Sequence, residues 1–113
     1  MANVDEDFKK ELARVGNKLP GLVFVTALRT WRNLRIYQPA LSLPQILVTS
    51  LGSVCLRWVL GEHSTQEVFL VEVLVDGGVE WSYDGWDHSR WFYMNLWDDA
   101  VPLRAVDYVK RFV

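Results

Sequence analysis

Hydrophobic residues change their period twice along the chain, and the changes divide it into a helical half, a strand half and a helical end. Over residues 5 to 15, Phe8, Leu12 and Val15 recur at helical spacing, acids fill the first turn, and Gly16 follows the last apolar position. This predicts an amphipathic helix with Asp5 as its N-cap and glycine as its stop. Residues 22 to 35 place Phe24, Ala27, Leu28, Trp31 and Leu34 on one helical stripe and Thr26, Arg29, Thr30 and Asn33 opposite, which predicts a second helix. The β-branched opening "LVFVT" makes a strand the competing reading there.

"QPALSLP" (38–44) carries two prolines and predicts an extended connector, because each proline removes a backbone donor and restricts the residue before it. Period two then takes over. "ILVT", "SLGS" and "VCLRWVL" read as strand, turn and strand, with Val54, Leu56, Trp58 and Leu60 alternating against Cys55, Arg57 and Val59. "GEHSTQ" closes the next hairpin, and "VFLVEVLV" (68–75) is apolar at nearly every position, which predicts a mid-sheet strand covered on both faces.

Register follows from parity. A three-residue loop Asp76-Gly77-Gly78 pairs Val75 with Val79, Val73 with Trp81 and Val71 with Tyr83, leaving Leu74 with Glu80, Glu72 with Ser82 and Leu70 with Asp84 on the reverse face. A two-residue turn would mix a carboxylate into the aromatic layer. For the last strand, about residues 90 to 97, a four-residue loop Trp86 to Ser89 sets Phe92, Met94 and Leu96 on the apolar layer and turns Trp91, Tyr93 and Trp97 to the reverse face. A five-residue loop exchanges the two sets. The four-residue loop is preferred, because it buries a purely apolar set instead of one containing Asn95. "DDAVPLRAVDYVKRFV" predicts a C-terminal helix capped by Asp98 or Asp99, with Pro102 in its first turn. The expected architecture is thus α+β: two N-terminal helices, an antiparallel meander of four to five strands, and a C-terminal helix, in one domain over residues 1–113.

Composition changes this picture little. The chain has 113 residues, half of them hydrophobic, and a net charge of −2. "MANVDEDFKKEL" has no apolar segment of the kind found in a signal or membrane anchor, and Cys55 is the only cysteine. Both point to a cytoplasmic chain without an internal disulfide and without membrane association. Charge is uneven: no Asp or Glu lies between Glu11 and Glu62, whereas the segment from Glu62 to Asp107 is strongly acidic. Folding can bring the two halves together and neutralise them locally, or the asymmetry can serve a binding face.

Candidate chemistry is sparse. Asp84, Asp87 and His88 lie close in sequence, but no metal-ligand spacing extends the group, and Asp-Gly followed by a polar run is ordinary turn chemistry, so neither metal nor cofactor is expected. Cys55 lacks an activating context with His63 or His88. Glu72, Glu80 and Asp84 serve the solubility of a hairpin face as well as they would serve acid–base chemistry. Phosphate-binding, dinucleotide-binding and hydrolase signatures are absent from the sequence. The expectation is a protein that is not an enzyme.

What remains is "WSYDGWDHSRWFYMNLW" (81–97), with four tryptophans, two tyrosines and a phenylalanine. Trp81 and Tyr83 fit the core. Trp86 at a loop tip and Trp91, Tyr93 and Trp97 on the reverse face, rimmed by Glu72, Glu80 and Asp84, form a docking surface unless a helix covers them. The sequence therefore predicts non-catalytic protein binding. An inhibitor, antitoxin or immunity-like protein, including one carried by a phage or mobile element, fits this expectation, as does a homodimer through the same surface. The alternative is nucleic-acid binding through Arg29, Arg32 and Arg35 around Trp31. The acidic overall balance and the place of Trp31 on the apolar stripe argue against it.

Overall fold

The computed structural model of the chain describes residues 4–16, 19–61, 66–85, 89–94, 110 and 112, with the backbone alone over 89–94. Two helices, α1 (Val4–Val15) and α2 (Gly21–Tyr37), precede five strands: β1 (Gln45–Val48), β2 (Val54–Leu60), β3 (Glu67–Val73), β4 (Val79–Asp84) and β5 (Ser89–Met94). The strands form one antiparallel sheet in sequence order, a meander. The class is α+β; the expected C-terminal helix lies outside the described residues.

In α1, Phe8 and Leu12 are one turn apart and fully buried, and the Gly16 N–H closes the helix on the Leu12 carbonyl at 2.8 Å. Asp5 is not the N-cap, because the helix already begins at Val4. Its carboxylate points across to α2. There it accepts from the indole N–H of Trp31 (2.9 Å) and from Arg35 (2.7 Å).

Residues 21–37 are helical, so the strand reading of "LVFVT" does not hold. Val23, Ala27, Trp31 and Leu34 share one buried stripe, and the packing of this stripe offsets the helix cost of two β-branched valines. The buried face is rotated from the expected one: Thr26 is inside and Phe24 only half-buried. Past Tyr37 the Gln38 N–H returns to the Leu34 carbonyl at 3.0 Å, and Pro39 ends the helix.

Two hairpins share one loop design. In the first, the Thr49 N–H donates to the Ser53 carbonyl and the Gly52 N–H to the Thr49 carbonyl. In the second, Leu74 and Gly78 close the loop in the same way, with Gly77 donating to Leu74. Each is a three-residue loop whose third position is a glycine in the left-handed region, Gly52 at φ 88° and Gly77 at φ 86°. The Asp76 side chain accepts from the Gly78 N–H at 2.8 Å and stiffens the second loop.

Compared with the sequence reading, the second loop has the expected length but starts one residue earlier, at Val75, so the pairs are Val73–Val79, Val71–Trp81 and Phe69–Tyr83. The β4–β5 connection behaves likewise. Asp84 pairs with Ser89, leaving the four residues Gly85 to His88 between them. Sliding a pairing by two positions preserves parity, which is why the partition into two faces survives both corrections.

One face of the sheet, with Ile46, Val54, Leu56, Trp58, Phe69, Val71, Val73, Val79, Trp81 and Tyr83, packs on α1 and α2. A line of rings runs through this core from Phe8 to Trp31 (4.7 Å between centroids, 6° between planes), then to Trp58 (6.4 Å), Phe69 (5.8 Å) and Trp81 (5.8 Å). Phe112 joins at Phe69 (5.9 Å), and Gln38 donates to the Lys110 carbonyl, so both described residues of the chain end lie on the helical side.

Candidate interaction face

The strands alternate, and their second set of side chains builds the reverse of the sheet. The register lines up Leu47, Cys55, Glu72, Glu80 and Tyr93 in one row across all five strands. The adjoining row is Gln45, Arg57, Leu70, Ser82 and Trp91. The structure thus brings Glu72, Glu80, Trp91 and Tyr93 to adjacent register positions. Asp84 is at the end of β4, opposite Ser89. Trp86 and Trp97 lie outside the described residues.

Exposure separates the two faces. Val54, Leu56, Phe69, Val71, Val73, Trp81 and Tyr83 are buried, while Cys55, Arg57, Leu70, Glu72, Glu80 and Ser82, their neighbours along the strands, are half-buried and Asp84 and Leu47 are exposed. Glu72 and Glu80 stand directly opposite each other, a like-charge pairing that opposes strand association. Glu72 is partly compensated: Ser53, itself buried, donates to it at 2.8 Å. Because the single Ser53 proton goes to Glu72, the Thr49 hydroxyl supplies the proton of the 2.6 Å contact between Thr49 and Ser53. This relay ties the β1–β2 loop to β3. Arg57 lies toward the β1 edge and donates to Gln45 at 3.2 Å.

Cys55 is half-buried beside Glu72, and burial first, then the Glu72 charge, push its thiol above the usual range. That is the opposite of nucleophile activation. Among the described residues no group of three His, Cys, Asp or Glu is placed to hold a metal ion; Asp87 and His88 lie outside them. Among the same residues no helix is long and apolar enough to cross a membrane.

The arginines of α2 divide. Arg29 and Arg32 are exposed. Arg35 is held by Asp5 and by the Pro39 carbonyl at 3.0 Å, with its guanidinium 5.7 Å from the Trp31 ring centre. Trp31 is buried and sandwiched between Phe8 and Trp58, which withdraws it from any base. The nucleic-acid alternative therefore keeps two exposed cations and loses its aromatic platform.

Sequence reasoning missed a buried polar pair on the helical face. Glu67, at the start of β3, is buried and accepts from the Tyr83 hydroxyl. Gly85 presses against that phenol, since a Cβ there would fall 2.6 Å from the oxygen. The available signal was parity: Glu67 falls on the same side of β3 as Phe69 and Val71. Comparison with protein-family models, with curated proteins and with solved structures yields no match.

Proposed function

We propose that the protein is a non-catalytic binding module that occupies a partner protein's surface with the reverse face of its sheet, as an inhibitor does. The observation that carries this reading is the asymmetry of the sheet: both described helices and the line of aromatic rings lie on one face, while the Glu72–Glu80 rows keep partial exposure and include the positions of Trp91 and Tyr93. Aromatic positions and carboxylates that share one sheet face by register suit a partner with apolar pockets and basic residues around them. The inert setting of Cys55 supports a non-catalytic role.

Affinity capture from the native host tests the proposal, using the wild-type chain beside a Trp91→Ala, Trp97→Ala double variant. A specific partner lost from the variant, with its circular-dichroism melt unchanged, is the expected result. Recovery of the same partners in the same yield by both chains removes the proposal.

A further inference from the structure

β1 is the outermost strand of the meander: β2 pairs with one of its sides, and among the described residues no strand pairs with the other. The ladder fixes what that open side carries. The Thr49 N–H donates to the Ser53 carbonyl, so Thr49 and, by alternation, Leu47 and Gln45 turn their backbone groups toward β2. Ile46 and Val48 turn theirs outward, and among the described residues no backbone group receives them there.

Edges of this kind are ordinarily blunted by a charge, a proline, a bulge or a cover. None of the first three is present. Between Arg35 and Arg57 the chain carries no Asp, Glu, Lys, Arg or His, Pro44 stops just short of the strand, and the pairing with β2 runs without a bulge. Gln45, Leu47 and Val48 are exposed, although α1 and α2 pack over the core face of the same sheet. Exposed apolar residues gather along this edge: Leu43 before the strand, Leu47 and Val48 within it, and Leu51, 82% exposed, after it.

An antiparallel copy of β1, related by a two-fold axis normal to the sheet, satisfies this edge in one register. Setting Ile46 opposite itself brings Val48 to Pro44, which has no N–H. Setting Val48 opposite itself brings Ile46 to Ser50 in the loop, and a shift by one residue sets outward groups against inward ones. The register that remains centres on Leu47. Ile46 and Val48 of each copy then exchange both bonds with Val48 and Ile46 of the other, and Leu47 meets its counterpart as a non-hydrogen-bonded pair, with Cα atoms about 4.5 Å apart. Continued past the strand ends, the same register brings Leu43 of one copy to the loop that carries Leu51 of the other. This match of three leucines about one two-fold point belongs to the chain paired with itself, and the uncharged edge holds nothing to select a different strand.

We propose that the protein forms a two-fold dimer through β1, joining two five-stranded sheets into one. Parity keeps the helical faces together on one side and the reverse faces on the other, so the dimer presents the Glu72–Glu80 rows twice on a single side. The pairing stands independently of what that reverse face binds.

Sedimentation equilibrium of the full chain from micromolar to near-millimolar concentration, at low and high salt, tests it. The expected result is an equilibrium that stops at the dimer, because a two-fold contact closes, and that salt does not weaken. Leu47→Lys sets like charges opposite each other at the axis and weakens association by roughly tenfold or more. Val48→Pro removes an outward N–H that the bond ladder to β2 does not use, and weakens it likewise. Amide hydrogen exchange gives a second readout: in the wild-type chain, Ile46 and Val48 become slower as concentration rises, while Leu47, bonded to β2, does not change. Should Val48→Pro fail to fold, Leu47→Lys and the wild-type exchange pattern decide alone. A chain that stays monomeric or assembles past the dimer overturns the proposal, and so does a dimer that keeps its strength with Leu47→Lys.

Discussion

Trp31 decides whether α2 is built around a core or around a ligand, and replacing it separates the two. The side chain is fully buried, stacks on Phe8 at 4.7 Å and on Trp58 at 6.4 Å, and donates to Asp5 at 2.9 Å. Truncating a buried tryptophan to alanine removes apolar area and leaves a cavity, at a cost of about 3–5 kcal/mol. For a domain whose whole stability is about 5–15 kcal/mol, that is a large share. With a urea m-value of about 1.5 kcal/mol/M, Trp31→Ala lowers the midpoint by roughly 2–3 M. Trp31→Phe keeps a ring in the stack and loses the N–H bond to a partly exposed carboxylate, so its cost is smaller, about 1–2 kcal/mol. Arg32→Ala, at an exposed position of the same helix, stays within about 0.5 kcal/mol of wild type. Urea titration followed by far-ultraviolet circular dichroism reads all three, and avoids ambiguity from the six tryptophans in fluorescence. A Trp31→Ala chain with an unchanged midpoint would refute the stacked core and return the indole to the surface.

Three smaller predictions test other parts of the structure. Gly52→Ala destabilises by about 1–2 kcal/mol through the left-handed backbone alone. Its new Cβ meets Val75 and Pro20 only at ordinary contact distances, 3.9 and 4.0 Å, so a thermal melt as stable as wild type would disprove the loop geometry. The Arg35 bond holds the Asp5 carboxyl below its usual range against the opposing effect of burial, with the Trp31 bond adding to it. A lowered folded-state value means that this contribution is complete above the unfolded value, about 3.9, and is lost as pH falls through the folded one. Asp5→Asn therefore flattens part of the acid limb of stability against pH, and an identical limb in both chains contradicts the pairing. Finally, the raised Cys55 thiol makes its reaction with a disulfide reagent at mildly alkaline pH slower in the folded chain than in urea, and Glu72→Gln speeds the folded reaction. Equal rates folded and unfolded would show the thiol unperturbed.

Parity explains which parts of the fold could be read from the chain. Strand side chains repeat every two residues, so alternation in "VCLRWVL" and "VEWSY" sorts Leu56, Trp58, Trp81 and Tyr83 from Arg57, Glu80 and Ser82 without any knowledge of partners. The same period hides a slide of two, and both the β3–β4 and β4–β5 pairings are displaced by that amount from the expected ones. With Gly77 and Gly78 adjacent, either could have supplied the left-handed position of the loop. The observed register sets Val73 opposite Val79 and Phe69 opposite Tyr83, a choice made by side chains across strands and not by the turn residues.

The sequence by itself determined the α+β class, the lengths of the β3–β4 and β4–β5 loops and the division of β2, β3 and β4 into two faces, because these follow from local periodicity and turn chemistry; the turn read as the four residues "SLGS" is instead the three-residue loop 50–52, closed by Thr49 and Ser53. Tertiary structure alone decided the partners. Asp5, by local rules a helix cap, became the anchor that joins α1 to Trp31 and Arg35 of α2, and Glu67, which strand parity places on the core side, found in Tyr83 the donor that its burial requires. In each case a carboxylate took a donor brought to it by distant packing, and the desolvation of that donor, which no local pattern records, made the bond worth forming.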